Sequence, residues 1–217
     1  MIAIIDYGMG NLRSVEKGFQ KAGVDVTVTN KPGIVNNADA VVLPGVGAFK
    51  DCMRELSDLK LIDAVVDSIK KGKPYLGICL GLQALFSESV EFGRCKGLDV
   101  LRGSVVRFDF GGQKLKTPNS QLSTLKVPHM GWNEINIRKD NPLFKGIPDK
   151  SYFYFVHSFY VVPEDKTIIS ATTDYGIEFT SSVRKENIFA VQFHPEKSQA
   201  VGLQMLKNFG DIAKKGL

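Results

Sequence analysis

The stretch that most constrains the fold is Pro74-Tyr75-Leu76-Gly77-Ile78-Cys79-Leu80-Gly81-Leu82-Gln83. Its first half is a short apolar run that predicts a buried strand, and Leu80 to Phe86 reads as a helix. Cys79 sits at the join, with Gly77 and Gly81 two residues to either side. That is the G-x-nucleophile-x-G spacing of a strand-to-helix elbow, with cysteine in place of serine. A turn this tight leaves no room for side chains at the two flanking positions. It also presents the thiol at a helix N-terminus, where the macrodipole favours negative charge. A lone buried cysteine is more often structural, so the elbow needs partners elsewhere in the chain.

The rest of the first half supports a parallel sheet. Residues 2–6 read as a buried strand, 12–22 as a helix, 24–29 and 38–43 as further strands, and 59–71 as an amphipathic helix ended by Gly72. Strands alternating with helices imply a parallel sheet covered on both faces. Gly8 and Gly10 are two glycines of a dinucleotide loop, but Arg13 stands where the third would be, so a plain turn is expected. Beyond about residue 100 the texture changes. Ser104–Phe108, Asn133–Ile137, Tyr152–Val161, Thr167–Thr173 and Ile177–Arg184 are β-branched and aromatic runs without intervening helices, which predicts an antiparallel extension. Polar Gly111–Leu125 reads as an exposed loop or hairpin, Ile188–Phe193 as a buried strand, and Ser198 as the cap of a last helix from Ala200 to about Lys214. No repeat or linker divides the 217 residues. The expected fold is α/β: a three-layer sandwich with a mainly parallel central sheet, helices on both faces and an antiparallel β extension, as one domain over 1–217.

Charge and cysteine content narrow the function classes. The formal charge of +5 is spread without a basic run, so no nucleic-acid partner is expected. Three cysteines, at 52, 79 and 95, form neither a disulfide framework nor a metal spacing, which favours a reducing cytoplasm and no metal. The opening Met1-Ile2-Ala3-Ile4-Ile5-Asp6 is too short for a signal peptide, and no run reaches membrane-spanning length.

A cysteine nucleophile needs a base, and the base an orienter. Of the three histidines, His194 lies at the end of a buried strand in Val191-Gln192-Phe193-His194-Pro195-Glu196. Pro195 holds it extended, which places Glu196 on the same side, able to approach the imidazole through the bend at proline. A carboxylate there fixes the tautomer and stabilises the imidazolium. The backbone N–H of Leu80, just after the nucleophile, is one oxyanion donor. Pro44-Gly45-Val46-Gly47 is either a second donor or an ordinary β-to-α turn; the residues alone leave both open.

Taken together, Gly77-Ile78-Cys79-Leu80-Gly81-Leu82-Gln83 and Phe193-His194-Pro195-Glu196-Lys197-Ser198 resemble the class I (triad) glutamine amidotransferases. Pro44-Gly45-Val46-Gly47-Ala48-Phe49, Pro128-His129-Met130-Gly131-Trp132-Asn133 and Asp6-Tyr7-Gly8-Met9-Gly10-Asn11 narrow the resemblance to glutaminase subunits of imidazole glycerol phosphate synthase. It implies a catalytic triad of Cys79, His194 and Glu196. Leu80, Val46 and Gly47 would form the oxyanion hole, with Val46 N–H recruited by a peptide flip. Gln83, Glu91, His157, Ser158 and Phe159 would bind L-glutamine, and Asn11, Trp132 and Lys197 would face the partner. That partner is a barrel cyclase subunit, joined in a heterodimer and fed with ammonia; no cofactor is implied. His129 is expected to be structural or at the interface, not catalytic. Two other readings stay open: a paralogous subunit supplying ammonia for surface-sugar amidation, and a stand-alone cysteine hydrolase.

Overall fold

The chain alternates short strands and helices through its first half. A computed structural model describes residues 1–111, 114–116 and 122–215. In chain order the elements are β1 (Ile2–Ile5), α1 (Leu12–Lys21), β2 (Val26–Thr29), α2 (Pro32–Asn37), β3 (Ala40–Gly45), α3 (Phe49–Asp58), α4 (Leu61–Lys70), β4 (Tyr75–Cys79) and α5 (Leu80–Gln83). Then follow β5 (Phe86–Ser89), β6 (Cys95–Lys96), β7 (Leu101–Arg107), β8 (Lys114–Lys116), β9 (Leu122–Thr124), β10 (His129–Glu134) and β11 (Asn136–Ile137). The last are β12 (Tyr152–His157), β13 (Phe159–Pro163), β14 (Ile169–Asp174), β15 (Glu178–Lys185), β16 (Ile188–Val191) and α6 (Gln199–Lys215).

The main sheet runs β2-β1-β3-β4-β16-β15-β13-β7-β5-β6, with β14 and β11 attached through β15. From β2 to β16 every neighbour is parallel, and from β16 to β15 to β13 to β7 every neighbour is antiparallel. Both faces of the parallel half are apolar because both are covered. On β1 and β3, Ile2, Ile4 and Val42 pack with Phe19 of α1 and Phe209 of α6. Ile5, Val41 and Leu43 pack on the other side with Val35, Leu56 and Val65 of α2, α3 and α4. Period-two alternation thus sends successive residues into two different cores. This is the three-layer α/β arrangement, with its antiparallel extension, that the sequence predicts.

Several elements differ from the sequence expectation. The helix expected over Leu80–Phe86 is a single turn, α5, and Phe86 opens a strand that pairs in parallel with β7. Helix α2 is absent from the expectation: it is six residues long, with Gly33 and two asparagines, all weak helix formers. Helix α3 is also absent from it, although Phe49, Cys52 and Leu56 lie buried at helical spacing. Its N-cap, Ala48, has no side-chain hydrogen bond, so the usual start signal is missing. The run Tyr152–Val161 is split by Ser158. Before it, β12 pairs with β10 in a separate ribbon; after it, β13 joins the main sheet. In the polar segment 111–125, β8 and β9 pair as an antiparallel hairpin; positions 112–113 and 117–121 lie outside the described residues. Ser198 does head α6, but through its carbonyl, which accepts from Gly202 N–H at 3.1 Å. Its hydroxyl instead donates to His194 O at 2.6 Å and accepts from Tyr154 N at 3.0 Å. Among the described residues, no helix is long and apolar enough to cross a membrane.

Candidate active site

Three neighbouring strands end at one place. β4 ends in Cys79, β3 ends in Gly45 directly opposite Cys79, and β16 lies on the other flank of β4 and leads into Gln192, Phe193 and His194. Open α/β sheets keep their sites at such carboxyl ends.

The elbow has the strain its sequence predicts. Cys79 adopts φ 53° and ψ −106°, which few side-chain-bearing residues do. The flanking glycines are sterically required. A Cβ on Gly81 would stand 1.8 Å from Leu43 O, and one on Gly77 would stand 2.6 Å from Gly81 O. Close approach of β4, α5 and β3 therefore depends on both positions having no side chain.

His194 and Glu196 form a buried pair. Pro195–Lys197 is a turn of 3₁₀-helix, and it swings Glu196 back so that Oε1 lies 2.8 Å from His194 Nδ1. Both side chains are 2% exposed. Nδ1–H donates to Glu196, which leaves Nε2, buried and without a hydrogen-bond partner, as the nitrogen available to Cys79. Burial disfavours charge on His194, but the neighbouring Cys79 thiolate and Glu196 outweigh burial and push its pKa up to about 10. His194 is thereby held in its protonated form at neutral pH.

A cleft of about 420 Å³ opens over Cys79. Val46, Gly47, Leu80, Gln83, Glu91, His157, Ser158, Phe159 and Lys197 line it, with Pro128 and Val156. Every oxyanion and substrate residue expected from the sequence is thus gathered around one thiol. Val46 is 37% exposed at the rim, and Gly47 holds φ 98°. Glu91 Oε2 accepts from Phe49 N–H at 2.6 Å, so it also anchors the start of α3. His157 reaches the wall, but both ring nitrogens are engaged inward: Nδ1 with Phe159 O at 2.8 Å and Nε2 with His129 Nδ1 at 3.0 Å.

The three partner-facing residues are spread more widely. Lys197 lies at the cleft, its ammonium 5.5 Å from the Tyr154 ring centre. Trp132 is 47% exposed on β10 and packs edge-on against Tyr154. Asn11 is exposed and caps α1, accepting from Ser14 N–H at 3.3 Å.

One site residue escaped the sequence reading. Gln192 is fully buried, and its Nε2 lies 3.5 Å from Cys79 Sγ. The available signal was its place two residues before His194, on the same side of an extended chain, as a polar residue in an apolar strand.

A buried thiol at a strained elbow, a carboxylate-held imidazole and a polar cleft at parallel strand ends define a cysteine-dependent acyl-transfer site. The glutamine amidotransferase class-I family model matches residues 3–212, and the chain belongs to that family. Within it, the chain is 54% identical over 212 residues to the imidazole glycerol phosphate synthase subunit HisH of Syntrophotalea carbinolica, covering 98% of this chain and 100% of that one. It is 52% identical over 211 residues to the subunit of the same name from Geobacter sulfurreducens, covering 97% and 98%. Among solved structures, a glutamine amidotransferase superposes with a TM-score of 0.73 at 17% identity, covering 99% of this chain and 100% of that one. The glutaminase domain of Trypanosoma brucei CTPS superposes with a TM-score of 0.62 at 17% identity, covering 97% and 93%. At these identities the structural likeness speaks for the fold.

Proposed function

We propose that this chain is the glutaminase half of a cytoplasmic imidazole glycerol phosphate synthase, acting as one domain over residues 1–217. Cys79 thiolate attacks the side-chain amide carbon of glutamine. The oxyanion forms against Leu80 N–H and, after rearrangement of the Val46–Gly47 peptide, a second backbone N–H. His194, held by Glu196, donates its proton to the leaving nitrogen, ammonia departs, and a γ-glutamyl thioester remains. Water, deprotonated by His194, hydrolyses the thioester to glutamate and restores the thiol.

Gln83 and Glu91 hold the amino-acid end of the substrate. Both Nε2 hydrogens of Gln83 are used within the protein, on Phe159 O and Gln192 Oε1, so its carbonyl oxygen is the acceptor left for an ammonium group. Because its ring nitrogens are engaged, His157 contributes shape and backbone, with Ser158 and Phe159. Asn11, Trp132 and Lys197 face a barrel cyclase subunit in a heterodimer. That subunit uses the ammonia to make imidazole glycerol phosphate, the product for which the relatives are named, and aminoimidazole carboxamide ribonucleotide, in histidine biosynthesis.

The observation that carries this reading is the Cys79 elbow beside the His194–Glu196 pair, in a chain that matches those relatives along nearly its whole length. The test is assay of the complex with a barrel cyclase. Cys79→Ala abolishes glutamine-dependent synthesis and leaves ammonia-dependent synthesis intact. Glutamine-dependent synthesis surviving in that variant would overturn the assignment of the nucleophile.

A further inference from the structure

The side-chain amides beside Cys79 form a chain whose direction is forced. Phe159 O, a main-chain carbonyl, can only accept. Gln83 must therefore turn its NH₂ toward it, at 3.0 Å. The second hydrogen of that NH₂ points at the amide of Gln192, 3.1 Å away, which must answer with its oxygen. With its oxygen so placed, Gln192 has only its own NH₂ to present on the other side, and that side is Cys79 Sγ at 3.5 Å. Swapping oxygen and nitrogen in either amide would set two acceptors or two donors face to face, so the network itself fixes both amides. His157 reinforces the fixed point, donating from Nδ1 to the same Phe159 carbonyl at 2.8 Å.

We infer that Gln192 is a hydrogen-bond donor to the nucleophilic sulfur, aimed by the Phe159 carbonyl through Gln83. It touches the reacting atom but does not line the cleft, so it acts on the thiolate rather than on the substrate. An N–H donor favours the anionic sulfur over the neutral thiol, because hydrogen bonds to an ionised partner are the stronger ones. Gln192 is 0% exposed and Gln83 5% exposed, so water does not substitute readily for either. The other titratable groups around the sulfur are His194 with Glu196, the Tyr7 hydroxyl behind the elbow, and Glu91, His157 and Lys197 in the cleft. Of these, His194 supplies the counter-charge; Gln192 supplies a donor that carries no charge and stays in place whichever way the proton moves.

The inference rests on Cys79 being the nucleophile, and its test is separable from that of the function. The full-length chain is treated with iodoacetamide across a pH series, and modification of Cys79 is followed by peptide mass spectrometry. In Gln192→Met, matched in length but with no donor, the pH midpoint for modification moves up and the rate near neutral pH falls about tenfold, while the plateau at high pH is unchanged. In Gln192→Glu the loss is larger, although glutamate is the closer shape, because a carboxylate turns an acceptor toward the sulfur. A Gln192→Met profile superimposable on the parent's overturns the proposal, as does a lowered plateau with an unmoved midpoint. A Gln192→Glu profile no worse than that of Gln192→Met overturns the assigned orientation. If Gln192→Met does not fold, the parent decides. The Gln192 side-chain amide resonances, followed by ¹⁵N NMR, shift with the alkylation midpoint in the parent and not in Cys79→Ala; resonances indifferent to that pH range reject the donor. Glutamine hydrolysis surviving in Cys79→Ala would instead sink the nucleophile assignment.

Discussion

Gly81 shows how a single position holds the site open. Its Cα faces the carbonyl of Leu43 so closely that an added Cβ would overlap the oxygen. The obstruction is backbone on the central strand β3, which cannot rotate away as a side chain could. Gly81→Ala therefore lowers stability by about 3 kcal/mol or more, or prevents folding, through overpacking at a strained turn. Gly33→Ala is the control, since nothing lies within 4 Å of its added Cβ. Urea denaturation of the two variants checks this, and equal midpoints would refute the steric account. At this scale the sequence was most legible. Two glycines around a cysteine, and a proline between a histidine and a glutamate, each encode a local geometry. Gln192 was not legible because its meaning comes from Gln83 and Phe159, 109 positions and more than 30 positions away along the chain.

Among the elements, the β10–β12 ribbon holds two histidines that never take up a proton near neutrality. His129 pairs with His157 across the ribbon and stacks on Phe155 and Tyr175. Burial pushes His129 down to about 4. Burial, with smaller help from the neighbouring histidines, pushes His157 down to about 3 against the Phe159 carbonyl. Both folded values lie below the unfolded one near 6.5, so the unfolded chain binds more protons through the acid range and stability rises with pH there. Their contribution is complete above about pH 6.5 and is lost as pH falls toward 4. His194, shifted the other way, keeps its contribution throughout that window. Melting temperature is thus expected to fall from pH 7 to 5. The double variant His129→Phe, His157→Phe flattens that slope; an unchanged slope in thermal melts would assign it elsewhere. The ribbon also marks where element reading from sequence fails. Tyr152–His157 and Phe159–Pro163 carry one continuous β pattern, and only tertiary pairing sends them to different sheets at Ser158. Helix α3 had the right spacing but no cap, and α5 stopped after one turn because Phe86 was needed as a strand beside β7.

For the whole molecule, the outer face of the β10–β12 ribbon carries a group of exposed apolar side chains. Met130, Trp132 and Tyr152 are 63%, 47% and 56% exposed on the same ribbon, and large exposed hydrophobics grouped in this way mark interaction surfaces. Lys197 connects that face to the cleft, lining the latter while lying over Tyr154. Under the proposed assembly, Trp132→Ala weakens binding to the cyclase subunit by about tenfold or more, the range of a buried aromatic anchor, and leaves the melting temperature of the isolated chain near the parent's. Calorimetric titration of the two subunits measures it, and an unaltered dissociation constant places the docking surface elsewhere. The three-layer architecture was readable from apolar runs and their spacing; the order of strands in the sheet was not.

That order has a consequence during synthesis. Thiol, oxyanion loop and base sit at the ends of β4, β3 and β16, and β16, although made after both, is inserted between β4 and β15. A nascent chain that has emerged as far as β15 carries a nucleophile with no base and a sheet with its middle strand missing. Cys79 therefore gains its base only once synthesis has passed β16, and a chain cut short before that strand has no His194–Glu196 pair to activate the thiol.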